Sequence, residues 1–257
     1  MRLLCLLVVS GAFAQVPDFT TDQQIKLYQE WVAQDASAPN RVLLASAYVQ
    51  KTRETTDFTY LERATKALEG VEVLYQLAGR VSRDPADTRA LYDLHVRGSE
   101  LVLKEALAAG VKRVVLASTS GTIGVSHEPR IHTEDDAYPI EVVGKWPYYT
   151  SKIYEEKHAI AFCQAKQLPL VVLNPSLLLG PGDDRLSSTG DVLHFMNGDI
   201  PVMPGGGLSF VDVRDAAQAL VAGMERGRPG ERYLVAGCNL TVRDFFGRLE
   251  RISGVKA

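Results

Sequence analysis

Three short apolar runs rich in β-branched residues most constrain how this 257-residue chain can fold: VEVLYQL (71–77), VKRVVLA (111–117) and LPLVVLN (168–174). Each is followed by a stretch long enough for a helix, around 86–109, from near Pro147, and near 190–197. Strands that are apolar on both faces, separated by helices of ten or more residues, pair in parallel and are covered on both sides. From residue 70 onward the chain therefore reads as an α/β layer structure. SFVDV (209–213), a helix from Arg214 to about Arg226, RYLVA (232–236) and a last helix over 241–254 complete it.

Upstream the grammar is different. Between Asp18 and Glu69 there is no glycine, and three apolar stripes recur at helical spacing. They are Ile25, Leu27, Tyr28, Trp31 and Val32; then Val42, Leu43, Ala45, Ala47 and Tyr48; then Tyr60, Leu61, Ala64, Ala67 and Leu68. This predicts a helical segment over 18–69 and an α/β domain over 70–257. LLASAYVQKTRETTDFTYLERATKALE (43–69) loosely resembles a helix pair of the tetratricopeptide type, with Ala45, Tyr48 and Ala64 as the positions that let two helices nest.

The first residues, MRLLCLLVVSGAFAQ, combine one basic residue, an apolar run from Leu3 to Val9 and Ala12-Phe13-Ala14 as a small-x-small cleavage signal. The expectation is a signal peptide over 1–14, with a buried N-terminal strand as the alternative. A strand opening a nucleotide-binding fold is followed by Gly-x-Gly, and here Gly11 is the only glycine before Gly70. No other stretch is apolar and long enough to span a membrane. A net charge of −3 with 23% charged residues gives no basic footprint for nucleic acid. Cys5, Cys163 and Cys238 have no metal-ligand spacing among themselves or with the five histidines, so no metal site is expected, and Cys163 and Cys238 read as inert filler.

WPYYTSK (146–152) carries the first chemistry. Pro147 suits the opening turn of a helix, and Tyr148 with Lys152 at i and i+4 then share one face. A nearby ammonium favours the phenolate and lowers a tyrosine from its ordinary value near ~10, so Tyr148 could act as general acid or base. Upstream, VKRVVLASTSGTIG (111–124) is a strand ending in hydroxyls, and Gly121 and Gly124 free the backbone where it leaves the sheet. Hydroxyls at the carboxyl end of a parallel strand point into the crevice where ligands bind; Ser118-Thr119-Ser120 is equally the composition of a turn that satisfies its own backbone.

Residues from about 68 to 254 resemble the extended short-chain dehydrogenase/reductases, in the NAD-dependent epimerase/dehydratase and dihydroflavonol-reductase-like branch. Five segments carry the resemblance in order: VEVLYQLAGRVS (71–82), HVRGSELVLKEALAAGVKRVVLAS (95–118), STSGTIG, PYYTSK and LNPSLLLGPGDD (173–184). It implies a Rossmann-like parallel sheet lacking its first strands, with VEVLYQL as the first sheet strand. Its catalytic residues would be Thr119, holding the substrate oxygen, Tyr148 as acid/base, and Lys152 lowering Tyr148 and binding the nicotinamide ribose. The cofactor-binding set would be Leu77, Ala78, Gly79, His95 at a usual asparagine position, Ser118, Tyr148, Lys152 and Pro175.

By the same resemblance the activity would be NAD(P)-linked oxidoreduction or epimerisation at a hydroxyl or carbonyl carbon of a small molecule. A homo-oligomer is the further partner to consider. The family's G-x-x-G-x-x-G, whose amides hold the pyrophosphate, is absent, so NAD or NADP is expected to bind weakly or not at all. The sequence reads as a join near residues 66–72. The alternative function is a noncatalytic exported scaffold, and localisation stays divided between an exporting N-terminus and a cytoplasmic reductase half.

Overall fold

A computed structural model of the chain describes residues 3–6, 19–55, 57, 59–67, 70–183, 186–200 and 205–255. Five strands form a parallel sheet: β1 (Leu3–Leu6), β2 (Val73–Gln76), β3 (Arg113–Ala117), β4 (Leu170–Pro175) and β7 (Arg232–Val235), in the order β1-β2-β3-β4-β7. A second sheet joins β5 (Leu177–Leu179), β6 (Gly207–Asp212) and β8 (Cys238–Thr241), with β5 and β6 parallel and β8 antiparallel to β6. Of these, β5 and β8 have no counterpart in the sequence reading. SFVDV lies in this second sheet rather than the main one.

β1 corrects the expectation that the sheet starts at VEVLYQL. Leu3 to Leu6 pair in parallel with Val73 to Gln76, so the edge of β2 is covered by backbone hydrogen bonding. The N-terminal run thus supplies a strand, the alternative reading of those residues; Ala12-Phe13-Ala14 lies outside the described residues. Between β1 and β2 run α1 (Thr21–Gln34), α2 (Ala38–Thr55) and α3 (Thr59–Ala67). α1 opens with a capping box in which Gln23 N–H donates to Thr20 Oγ1 at 3.3 Å and Thr20 N–H to Gln23 Oε1 at 2.8 Å. The three helices share one apolar core of Ile25, Tyr28, Leu44, Ala45, Ala47, Tyr48 and Ala64, and α2 packs against β1. Trp31, expected in the first stripe, is exposed.

The main sheet alternates its side chains between two cores, as a pleated strand must. Leu74, Val114, Leu116, Leu170 and Val172 face α5 (Ser99–Ala108) and α7 (Pro147–Ala165), where they meet Leu103, Ala106, Ala159 and Cys163. Val73, Tyr75, Val115, Val171 and Leu173 face α9 (Val213–Arg226) and pack on Met224 and Leu220. Two short helices, α6 (Ile140–Val143) and α8 (Gly190–Met196), lie in the loops above, and α10 (Val242–Ser253) closes the described chain on Gly254, whose φ of 76° is the left-handed cap geometry glycine favours.

The single helix expected over 86–109 is a composite. A turn of 3₁₀ helix (Pro85–Asp87) leads into α4 (Thr88–Tyr92), then a π-helical turn (Asp93–Gly98), then α5. π-turns inside helices frequently occur at functional sites, and this one holds the fully buried His95. Among the described residues no helix is long and apolar enough to cross a membrane.

Candidate active site

The carboxyl ends of β2, β3 and β4 lie side by side, Gln76 opposite Leu116 and Ala117 opposite Leu173. Leu77, Ala78 and Gly79, then Ser118 and Thr119, then Pro175 therefore leave the sheet at one edge. α7 crosses beneath them because its sheet-facing positions recur at Tyr148, Lys152, Glu155, Glu156, Ala159 and Cys163, a helical period, and the last five are all buried.

Thr119 caps a 3₁₀ turn (Ser120–Thr122) with φ −154° and ψ 148°, its hydroxyl accepting from Gly121 N–H at 3.3 Å. α7, which carries Tyr148, packs against this turn, and Thr119 acts on the Tyr148 phenol to lower it, so the expected catalytic pair comes together. Burial raises the Tyr148 phenol above its ordinary value; Tyr149 and Glu155 add to the rise, and the Thr119 hydrogen bond opposes it. Tyr149 is more than a bystander. Its ring lies on the backbone of Gly121, where a Cβ would sit 2.0 Å from Tyr149 Cε1, and it contacts the rings of Trp146 and Tyr148 at 5.7 and 5.4 Å.

Lys152 behaves differently from expectation. Its ammonium donates to Ala117 O at 3.0 Å and to Glu155 Oε2, and it is only 3% exposed. The expectation is a lowering of the Tyr148 phenol by Lys152; burial, the first cause acting on it, raises it. Behind the pair, Ser99 Oγ donates to Glu155 Oε1 at 2.5 Å, and Gln76 Nε2 donates to Ser99 Oγ at 2.8 Å. Burial pushes Glu155 up, against the pull of Lys152 and Ser99.

His95 accepts from Arg80 N–H through Nε2 at 3.1 Å, which leaves Nδ1 protonated and 2.8 Å from Ser151 Oγ. Ser151 Oγ in turn donates to Tyr148 O at 2.7 Å. Burial, and secondarily Lys152, push His95 down to about 3, so the ring is neutral and structural, tying the β2 loop to the first turn of α7. Its Nε2 would be 3.5 Å from a Cβ at Gly79.

Ser118 points away from the crevice. Its hydroxyl donates to Glu156 Oε1, which also accepts from Thr122 Oγ1 at 2.6 Å and Asn174 Nδ2 at 2.7 Å. Glu156 thus staples the β3 loop to the end of β4 next to Pro175, and its Oε2 faces Arg232 Nη1 at 3.9 Å. Ser151, Gln76, Ser99, Glu155, Glu156 and Asn174 were missed from the sequence, although the α7 spacing already placed both glutamates on the sheet-facing side. A cavity of about 310 Å³ lies at the opposite end of β4 around Leu168, Leu170 and Pro229, away from this chemistry. Burial pushes the Cys163 thiol up to about 12, in keeping with filler. Among the described residues no cluster of His, Cys, Asp and Glu could hold a metal ion.

Comparison with known proteins bears on the family of the chain. Residues 8–236 match the model of the NAD dependent epimerase/dehydratase family. The chain belongs to that family. The matched span starts ahead of α1 and runs through the supposed join. Sterol demethylase protein B of Methylococcus capsulatus is 33% identical over 189 residues, 73% of this chain and 57% of that protein. Cinnamoyl-CoA reductase 1 of Arabidopsis thaliana is 29% identical over 188 residues, 70% of this chain and 54% of that protein. The crystal structure of gox2253 superposes with a TM-score of 0.69 at 29% identity, covering 78% of this chain and 60% of that one. The chain spans little more than half the length of the curated relatives it matches.

The residues fit an NAD(P) cofactor only in part. Thr119 and Tyr148 suit the reacting end. Before Gly70 the only glycine is Gly11, which lies outside the described residues. The described main sheet also runs in one direction, β1 to β7, without the reversal of strand order at which such sheets open a dinucleotide crevice.

Proposed function

We propose that this chain carries the proton-transfer half of an NAD(P)-linked oxidoreductase or epimerase acting at a hydroxyl or carbonyl carbon, and that it holds the dinucleotide weakly or not at all. The single observation that carries this reading is the packing of α7, which carries Tyr148, against the turn that Thr119 caps at the end of β3. Thr119 would hold the substrate oxygen, and Tyr148 O–H, kept protonated by burial, would give its proton to that oxygen as a carbonyl becomes a hydroxyl. In the reverse direction the phenolate takes the proton back. A bound NAD(P)H supplies the hydride to the carbonyl carbon. Gly121 gives the Tyr149 ring its place over the loop.

The test is a reduction assay with NADH and NADPH against a panel of aldehydes and ketones. Turnover is expected only at cofactor concentrations far above the micromolar range, and Tyr148→Phe should remove it by ~100-fold or more, the usual size of a general-acid contribution. Turnover that survives Tyr148→Phe would overturn the assignment. The alternative, a noncatalytic exported scaffold, predicts no turnover at any cofactor concentration and recovery of the chain outside the cytoplasm.

A further inference from the structure

Outside the candidate site, the loop between the 3₁₀ turn at 120–122 and α6 brings a serine, a histidine and a carboxylate into line. Ser126 Oγ lies 3.0 Å from His132 Nε2, and His132 Nδ1 lies 3.0 Å from Asp136 Oδ2. Arg130, and after it the Thr133 N–H, hold the Asp136 carboxyl down at about 2; Arg130 sits on Oδ1 at 2.5 Å and Thr133 N–H on Oδ2 at 3.2 Å. Facing a carboxylate, Nδ1 carries the proton, which leaves the Nε2 lone pair of the neutral ring toward Ser126. The loop is fixed from outside. Arg232 of β7 donates to Glu134 O at 2.8 Å and to Asp136 O at 3.0 Å, and Leu234 N–H donates to Glu134 Oε1 at 2.9 Å. His132 also packs on Gly124, where a Cβ would lie 3.7 Å from His132 Cβ. The His132 side chain is 14% exposed, whereas Ser126 is open to solvent.

We propose that Ser126, His132 and Asp136 form a second catalytic site, an acyl-transfer centre that takes small carboxylic esters with a good leaving group. A nucleophile within reach of a base that is itself oriented by a third group is what this chemistry requires, and it is recognised by geometry rather than by fold or chain order. Ser126 Oγ also lies 2.7 Å from Glu128 O, so its proton has two acceptors; it passes to His132 Nε2 as Oγ attacks. The bond from Oγ to the ester carbonyl carbon forms while the carbonyl electron pair moves onto oxygen. His127 N–H, next after the serine, donates to no described residue and is available to that oxyanion. Collapse breaks the carbon–oxygen bond to the leaving alcohol, which takes the proton from His132. Water then attacks the acyl group, gives a proton to His132 and frees the carboxylic acid, and Ser126 Oγ regains the proton. Nothing is oxidised or reduced. An open site with one amide donor suits small, reactive esters rather than hindered ones.

The measurement is reaction of the full chain with a fluorophosphonate, whose phosphorus stands in for the ester carbon: the Oγ–P bond forms, fluoride leaves, and His132 takes the proton. Mass spectrometry of the digested chain locates the adducts. Ser187 is the internal reference, an exposed serine whose hydroxyl donates to Asp183. Ser126 should react at least ~10-fold faster than Ser187, and His132→Gln should slow Ser126 by ~100-fold, the size of a general-base contribution. Reaction at Ser126 no faster than at Ser187, or unchanged by His132→Gln, would overturn the proposal. Should His132→Gln fail to fold, Ser126→Ala decides, because it removes only an exposed hydroxyl. Release of p-nitrophenolate from p-nitrophenyl acetate should then fall at least ~10-fold; release at the rate of the unmodified chain would show that Ser126 takes no acyl group. No dinucleotide is present and Tyr148 takes no part, so either outcome stands apart from the reductase reading.

Discussion

The segment α1–α3 and the face of the sheet covered by α5 and α7 are both helical packing problems, yet they bury different chemistry. The first closes on Ile25, Tyr28, Leu44, Ala45, Ala47, Tyr48 and Ala64, an apolar core of its own. The second buries Gln76, His95, Ser99, Ser118, Lys152, Glu155, Glu156 and Asn174 along with its apolar residues. Burying charge is unfavourable unless each group is paired and hydrogen-bonded. A region that tolerates so many polar groups is being held to a geometry, whereas the α1–α3 core is held only to a volume.

Substitutions on the two sides should separate that difference. Glu156→Ala removes the acceptor shared by Ser118, Thr122 and Asn174 and the carboxylate that faces Arg232 Nη1 at 3.9 Å, and should cost about 3 to 5 kcal/mol. Amide hydrogen exchange should quicken at 118–122, around Thr119. Leu44→Ala opens a cavity in the α1–α3 core and should cost about 3 kcal/mol, with faster exchange confined to α1–α3 and Tyr148 titrating as before. If Leu44→Ala moved Tyr148, the two regions would be one unit and the comparison would fail.

The smaller effect is in pH. The folded His95 value, about 3, lies below its unfolded value of 6.5. As pH falls, the unfolded chain takes up that proton first, so stability present above about pH 6.5 is lost progressively toward pH 3. By pH 5 the loss is about 2 kcal/mol. It precedes the contributions of Asp136 and Asp212, each held at about 2, the first by Arg130 and the second by Arg214. Denaturant midpoints at neutral pH and near pH 5 should therefore differ in the unmodified chain. In His95→Asn the difference should shrink; an unchanged difference would remove His95 as its source.

Much of this was legible in the residues. The runs VVLA (114–117) and LVVL (170–173) lie in parallel strands covered on both faces, and the Tyr148–Lys152 spacing gave the right helix face. The pairing of Leu3–Leu6 was hidden because a leader and a buried strand share the same apolar composition. The partner of Lys152 was hidden for another reason. In Tyr-Glu-Glu-Lys-His (154–158), Tyr154 is exposed while Glu155 and Glu156 are buried. Which of two adjacent glutamates meets a lysine or a serine depends on α5, far along the chain. The π-turn at 93–98 has no local sequence mark either, since it follows from seating His95 between Arg80 and Ser151.

The central proposal is that the chain carries the proton-transfer site without the grip on the dinucleotide phosphates. Fluorescence titration of the purified chain with NADH, and separately NADPH, tests it most directly. The account predicts no saturation through the micromolar range. A dissociation constant in the micromolar range would contradict it.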